Sequence, residues 1–513
     1  MLRDHPDQSL VDYVTNGLKY GFSTGFRGAL SRSASSNLKS SSEYSVDVSK
    51  AIRTEVSRGH TAGPFNTPPL DDFHCSPLGA VPKKDGSARI ILDLSSPRGS
   101  SVNEGIDNHT FTVKYCSIDD ALDMVHSLGP SAFMAKADVK HAFRLCPVKP
   151  NEWHLLGYQW NGDFYYDMVL PFGSRSSPFI FNSFADLLCW ILSEIALIRL
   201  IIHYLDDYFW CNASYEECLR DLDNLVDLFA RLNVPLAPDK LFGPSKKIVF
   251  LGIQIDAELM IISLPEDKLL EILSMLECWS RRKKCTKREL LSLIGSLSFA
   301  TKIIKCGRLF LRRLIDLSTT VYRNDHRISL NAEAQADISW WQEFLPSWNG
   351  KEKIHPPPIT NFDIELATDA SGLGIGASFG NKWFSRPLSD FDSLSWIRRD
   401  RFDINFWELF ALTVAVLTWG TAWKDKQIII YVDNMTITHV WLRGSTDKGM
   451  MRLVRKLFLF TAQNNINILL QHIPGHSNIL ADRLSRLQVA EFKSLLPSAD
   501  HAGSSIPNTI WQL

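Results

Sequence analysis

The segment IIHYLDDYFW, residues 201–210, sets two adjacent aspartates, Asp206 and Asp207, between two apolar runs. The runs predict two strands, and the tight turn fixes the backbone spacing of the two acids. A lone pair of aspartates is most often a solvated turn. Here another apolar strand, FMAKAD, ends upstream in Asp138, and VLPFGSRSSPFIFN lies between. Three carboxylates brought together repel one another unless cations neutralise them. Hard divalent ions such as Mg²⁺ favour oxygen ligands and keep phosphate oxygens in their shell. Two such ions about 4 Å apart suit a displacement at phosphorus. The chain is thus expected to converge the ends of separate strands on one acidic point.

Composition narrows the class without naming it. The 513 residues allow roughly three domains of about 150 residues. Hydrophobic residues at 45% and charged residues at 22% exclude whole-chain disorder and a collagen-like fibre. Lys and Arg (55) balance Asp and Glu (56), so a nucleic-acid signal must be local. Between residues 281 and 313, eleven Lys and Arg stand against one acid, Glu289, a net of +10. Leu290, Leu291, Leu293, Ile294, Leu297 and Phe299 give that stretch an apolar helical face. Arg281, Arg282, Lys283, Lys284, Lys302, Lys305, Arg308, Arg312 and Arg313 supply cations for a salt-dependent, sequence-independent grip on phosphates. The N-terminus MLRDHPDQSL is polar, and residues 187–202 are broken by Glu194 and Arg199. No signal peptide or membrane span is therefore expected. Nine cysteines without a CxxC pair predict reduced thiols in the cytoplasm or nucleus.

Residues 1–75 read as an N-terminal extension with a Ser-rich loop at 31–45. LGAVPKK, an Asp85-Gly86 turn and ARIILDL predict a hairpin, and residues 117–128 a short helix. Strands and helices alternate to 255, including one strand KKIVFLGIQID. A basic helical module fills 256–330, and a tether over 331–362 ends in Pro356-Pro357-Pro358, a stiff linker. Residues 363–487 read strand, strand, strand, helix, strand, helix, strand, helix, with a C-terminal tail at 488–513.

That last α/β region carries a second acid set. Asp369 ends DIELATD and enters the glycine-containing ASGLGIGASF; Glu408 lies in the apolar helix NFWELFALTVAVLTW. Asp433 ends QIIIYVD, and Asp482 begins ADRLSRL after IPGHSN. Strand ends and helices of one sheet can gather four carboxylates at one pole. Buried acids need a partner, and metal is the natural one. Four carboxylates with two Mg²⁺ suit phosphodiester hydrolysis by an activated water.

The ordered motifs GAVPKKDGSARIILDLS, KADVKHAF, LPFGSRSSPFIF, YLDD, APDKLFG and FLGIQID resemble the reverse transcriptase family over about 180 residues. The resemblance implies Asp138, Asp206 and Asp207 as catalytic metal ligands. Lys83, Lys84 and Arg89 would meet the incoming triphosphate, and Phe143 would exclude a ribose 2′-hydroxyl. Pro171, Phe172 and Gly173 would line the template and nucleotide, and Lys240 would protonate the pyrophosphate. TDAS, WEL, YVDN and ADRLSR resemble the ribonuclease H family over about 125 residues. Asp369, Glu408, Asp433 and Asp482 would be its metal ligands, and His476 would assist product release. The fold implied is α+β and α/β multidomain. A right-hand polymerase of fingers and palm (76–255) and helical basic thumb (256–330) precedes a ribonuclease H-like α/β domain.

The cofactor expected is Mg²⁺, or Mn²⁺ in its place, two ions per site. The partners expected are an RNA template, a DNA primer, the RNA-DNA hybrid and dNTPs, with no membrane. HPDQSLVDYVTNGLKYGFSTGF and SPRGSSVNEGI resemble tyrosine-recombinase retrotransposons of the DIRS and Ngaro kind, which implies a separately encoded recombinase. The competing expectations are a catalytically silent or domesticated relative that only binds nucleic acid, and a polymerase that copies DNA alone.

Overall fold

A computed structural model describes residues 2–28, 30, 35–83, 86–348, 351–354, 366–394, 396–397, 402–424, 426–445, 447–464, 466–508 and 510. Lys84, Asp85, the three linker prolines, Asp363 and Glu365 lie outside the described residues. Two compact units divide the chain: Met1–Leu251 with Asp256–Leu259, and Gly252–Ile255 with Met260–Leu513.

The first unit is organised by a four-stranded antiparallel sheet. Its order is Ile201–Tyr204, Asp207–Asn212, Phe133–Asp138, Phe242–Ser245. Tyr208, Phe209, Trp210, Met134, Ala135 and Ala137 are all buried, so the two middle strands are covered on both faces. That is why they read as continuous apolar runs rather than alternating ones. The helix Tyr215–Arg231 starts where the Ser214 hydroxyl accepts the Glu217 amide at 3.2 Å. It buries Leu225, Leu228 and Phe229, and truncating Phe229 to alanine would cost about 3–5 kcal/mol. The helix Ser177–Glu194 opens with a proline in its first turn, where no amide donor is needed.

Two hairpins flank this sheet. Leu78–Pro82 pairs with Ala88–Leu92, as expected. Gly157–Trp160 pairs with Asp163–Asp167 around Asn161 and Gly162, whose φ values of 51° and 93° make the two-residue turn that matches strand twist. The N-terminal extension is not a segment apart. Val11 and Val14 from Gln8–Tyr20, and Val48 and Ile52 from Ser45–Ser57, join the same apolar cluster as Ala135, Ala137 and Tyr208. FLGIQID is two strands, Lys247–Phe250 and Ile253–Asp256. Leu251 and Gly252 turn between them at positive φ.

In the second unit, Glu266–Ser280, Lys287–Ala300 and Arg312–Thr319 form the expected helical module. Lys287–Ala300 carries a capping box in which Thr286 and Glu289 satisfy each other's amides. The tether contains a helix, Ala332–Trp348. It stacks Trp340 on Phe310 at 3.6 Å and buries Asp337 beside Arg313 and Arg455. The positive excess is also smaller than the 281–313 window suggests. Arg281, Arg312 and Arg313 pair with Glu277, Asp316 and Asp337, acids just outside it, at 3.7, 3.0 and 4.0 Å. Lys283, Lys284, Arg288, Lys302 and Arg308 remain exposed.

A five-stranded mixed sheet follows, in the order Lys382–Pro387, Gly374–Phe379, Leu366–Ala370, Gln427–Val432, Asn467–His472. The first three strands are antiparallel, and the last two run parallel to Leu366–Ala370. Two helices, Met435–Arg443 and Lys448–Gln463, stand where one was expected. Residues Ile404–Trp423 are long and apolar enough to cross a membrane, a stretch the sequence reading passed over for 187–202. They are 78% buried, and the helix Ile404–Trp419 lies against this sheet. The tail is structured: Val489–Leu495 buries Phe492 with Leu484 and Trp383. The Trp383 indole donates to the Asp500 carbonyl at 2.8 Å.

Candidate functional site

The first acid set is assembled by strand register. Asp138 lies opposite Asp207, and Asp207 opposite Tyr204. Leu205 takes φ 54° at the turn, and the Asp206 carbonyl accepts the Val139 amide at 2.8 Å. Lys240 donates to Asp138 Oδ2 at 2.7 Å. Burial raises the pKa of Asp206, and the charge of Asp138 raises it further; Lys240 and Arg89 oppose this. Burial pushes Asp207 up to about 6, against Lys136 and with Asp138 and Asp206. Burial thus outweighs the pull of the nearby cations. The cluster's donors are carboxylate oxygens, which suits hard divalent ions.

Beside it lies a cavity of about 450 Å³ whose walls include Lys83, Arg89, Pro171 and Phe172. The rings of Phe143 and Phe172 are 5.2 Å apart, and the Arg89 guanidinium lies 5.8 Å from the Phe172 ring. Gly173 has φ 113°, and a Cβ there would meet the Leu92 carbonyl at 2.3 Å. Only glycine lets the turn pass so close to the hairpin. Its carbonyl accepts the Asn103 amide at 2.9 Å. Lys84 lies outside the described residues. Sequence reasoning missed Lys50 of the helix Ser45–Ser57 and Arg58 directly after it, and His141 and Arg144, which all line the same cavity. The KHAFR run held the last two in view; nothing in the N-terminal extension pointed to the first two.

The second acid set draws on three kinds of element. Asp369 sits in the strand Leu366–Ala370, Glu408 on the buried helix Ile404–Trp419, and Asp433 directly after Gln427–Val432. One carboxylate oxygen from each lies within 4.8 Å of the others. Burial pushes Glu408 up to about 9, with Asp369 and Asp433 adding to it. Burial pushes Asp369 up to about 6, eased by a hydrogen bond from the Ser485 hydroxyl and reinforced by Asp433 and Asp482. Asp482 is not in the close group: its carboxylate accepts from Arg486 at 2.7 Å, and it is half-exposed. Its helix, Ile479–Ser485, still packs directly on the sheet, because a Cβ on Gly376 would strike Leu484 and Ser485 at 2.5 Å. His476 is exposed in a single turn, Gly475–Ser477. A Cβ on the adjacent Gly475 would lie 3.5 Å from an Asp433 oxygen.

Residues 81–255 match the family model described as reverse transcriptase (RNA-dependent DNA polymerase). These residues form a reverse transcriptase domain. The chain is 22% identical over 456 residues to the Transposon Tf2-3 polyprotein of Schizosaccharomyces pombe, covering 85% of this chain. The Tf2-7 polyprotein of the same organism is 21% identical over as many residues. The chain spans 30% of the length of each. Among solved structures it resembles a foamy viral protease-reverse transcriptase in complex with double-stranded DNA. The TM-score is 0.52 at 15% identity, over 88% of this chain and 73% of that one. The same viral protein with an RNA/DNA hybrid gives 0.52 at 15%, over 87% and 56%. The fold is a right-hand polymerase followed by a ribonuclease H-like α/β domain.

Proposed function

We propose that this reverse transcriptase domain acts in a retrotransposon protein that copies RNA into DNA and removes the RNA strand of the hybrid. The observation that carries the polymerase half is the register placing Asp138 opposite Asp207, beside Asp206, within residues that match the family. Asp138, Asp206 and Asp207 would hold Mg²⁺, or Mn²⁺ in its place. Bound there, the two ions supply activation of a 3′-hydroxyl and charge neutralisation at the leaving pyrophosphate. Lys83, Lys84 and Arg89 bind the triphosphate. Phe143 excludes a ribose 2′-hydroxyl, while Pro171, Phe172 and Gly173 shape the floor under base and template. Lys240, held protonated at Asp138 by their hydrogen bond, donates a proton to pyrophosphate as that contact loosens. The exposed cations from Lys283 to Arg308 grip the duplex through its phosphates.

The grouping of Asp369, Glu408 and Asp433 supports the ribonuclease H half. Asp482 completes the set by leaving Arg486 and turning toward Asp369, and His476 assists release beside Asp433. The partners would be an RNA template, a DNA primer, the hybrid and dNTPs, in cytoplasm or nucleus. Among the described residues the cysteines are free, which fits a reducing compartment. Membership of the DIRS or Ngaro kind, with a separately encoded tyrosine recombinase, rests on the N-terminal and SPRGSSVNEGI segments alone.

Primer extension on an RNA template with Mg²⁺ tests this. The wild type should incorporate dNTPs, and Asp206→Asn should lose at least about a thousandfold. A wild type that binds hybrid without incorporating any nucleotide would instead mark a silent, binding-only relative. Incorporation on DNA templates alone would mark a DNA-copying enzyme.

A further inference from the structure

The helix Ser45–Ser57 forms one wall of the cavity that contains Lys83, Arg89 and Phe172. Its Glu55 reaches the turn after Asp138. Glu55 Oε2 lies 3.1 Å from Arg144 Nε, and Asp167 Oδ2 lies 2.6 Å from Arg144 Nη1. The Arg144 side chain is 13% exposed and Asp167 4%. Asp167 is held in turn by the Thr61 hydroxyl at 2.6 Å, and Glu55 by His60 at 3.0 Å and Arg58 at 3.2 Å. One guanidinium thus ties together the N-terminal helix, the strand Asp163–Asp167 and its own short turn, Ala142–Leu145.

That turn needs holding. His141 precedes it at φ 60°, a left-handed conformation that costs a non-glycine residue about 1–2 kcal/mol. Its Nε2 is buried without a hydrogen-bond partner among the described residues, on the cavity wall. Strain of this kind persists where the surroundings over-determine the backbone. The residue next to Arg144 is Phe143, whose ring lies 5.2 Å from that of Phe172, a residue of the cavity wall. A buried ion pair by itself is weak evidence even for stability. Here it joins a strained turn to a pocket whose other walls carry Lys50, Arg58, Lys83 and Arg89.

We propose that Glu55 is a positioning residue for nucleotide selection. Through Arg144 it sets the turn His141–Phe143 against an incoming sugar, while Lys50 and Arg58 add charge to the triphosphate pocket. The inference rests on the polymerase reading above and extends it to the N-terminal helix.

The test is steady-state primer extension by the full chain on primed RNA, with dNTPs and with the matching rNTPs. Losing one charge-assisted hydrogen bond should raise the dNTP KM of Glu55→Gln about tenfold. Its preference for dNTP over rNTP should fall by a similar factor, with kcat little changed. Glu55→Asp should restore part of both. Arg58→Ala, at a half-exposed side chain, should raise KM severalfold and leave the sugar preference unchanged. A Glu55→Gln chain that melts earlier but keeps KM and preference makes the pair purely structural and overturns the proposal. An unchanged KM in Arg58→Ala removes the helix from the pocket and overturns that part, even where Glu55→Gln fails to fold. Absence of incorporation by the wild type itself overturns the polymerase reading, and this inference with it.

Discussion

The two acidic sites solve one problem by different means. In the first site, strand register places Asp138 and Asp207 opposite each other, and Lys240 and Lys136 stand close enough to pull carboxyl pKa values down. Asp207 still rises to about 6. In the second site, among the described residues, Arg486 is the cation that opposes the rise at Asp369, and it is already engaged by Asp482, while Glu408 rises to about 9. The first site carries its own counter-charge and is largely preformed. The second stores an electrostatic deficit that a divalent ion would relieve.

Separation of the sites gives the largest expected effect. Asp206→Asn should abolish synthesis by at least about a thousandfold and spare RNA cleavage, and Asp433→Asn should do the reverse. A hybrid with labelled RNA and primer, followed in one reaction, reads both. Loss of both activities in either variant would mean the sites are not independent.

The next effect sharpens the contrast in charge. Glu408 and Asp369 have folded pKa values above their ordinary 4.5 and 3.8. The stability they permit is therefore fully present below those ordinary values. It is lost as pH climbs through about 6 for Asp369 and about 9 for Glu408. Metal-free chain should melt progressively earlier across that window. Glu408→Gln should flatten the loss and raise the metal-free Tm at pH 8, and Mg²⁺ should stabilise the wild type more than this variant. Equal pH slopes in the two chains would show that the buried acids carry no such deficit.

Lys240→Met addresses the other site. It removes a charge that lowers the pKa of both Asp206 and Asp207. The acid limb of the synthesis pH profile should move to higher pH, with a smaller loss at alkaline pH than at about pH 6.5. A uniform loss at every pH would point to Lys240 acting only as a proton donor. The smallest effect concerns the exposed cations. Lys302→Ala with Arg308→Ala should reduce the slope of log affinity against log salt by about 2 on duplex DNA. An unchanged slope would place these side chains away from the nucleic acid.

Much of this was legible because its signals are local. The YLDD turn, the hairpin of Leu78–Pro82 with Ala88–Leu92 and the helix that starts at Ser117 each depend on a few adjacent residues. What escaped depends on distant partners. Val48 and Ile52 look unremarkable near a Ser-rich stretch until they join the apolar cluster that also holds Ala135 and Tyr208. Trp340, Trp341 and Phe344 made the supposed tether a packed helix, although Pro346 lies inside it. The close grouping of Asp369, Glu408 and Asp433 follows the expected pole of a sheet, but the Arg486 contact on Asp482 could not be read from ADRLSR.

The tail has a practical bearing on where this chain can be cut. The acids of the second site end at Asp482, which makes Leu487 an inviting last residue for a shortened second domain. Such a protein would lose Phe492 and the Asp500 carbonyl, and with them the lid over Trp383 and Leu484. The bared indole edge would sit on the outermost strand, Lys382–Pro387, next to unpaired backbone. An open strand edge with an aromatic beside it invites other copies to pair there, so the shortened chain would be expected to aggregate.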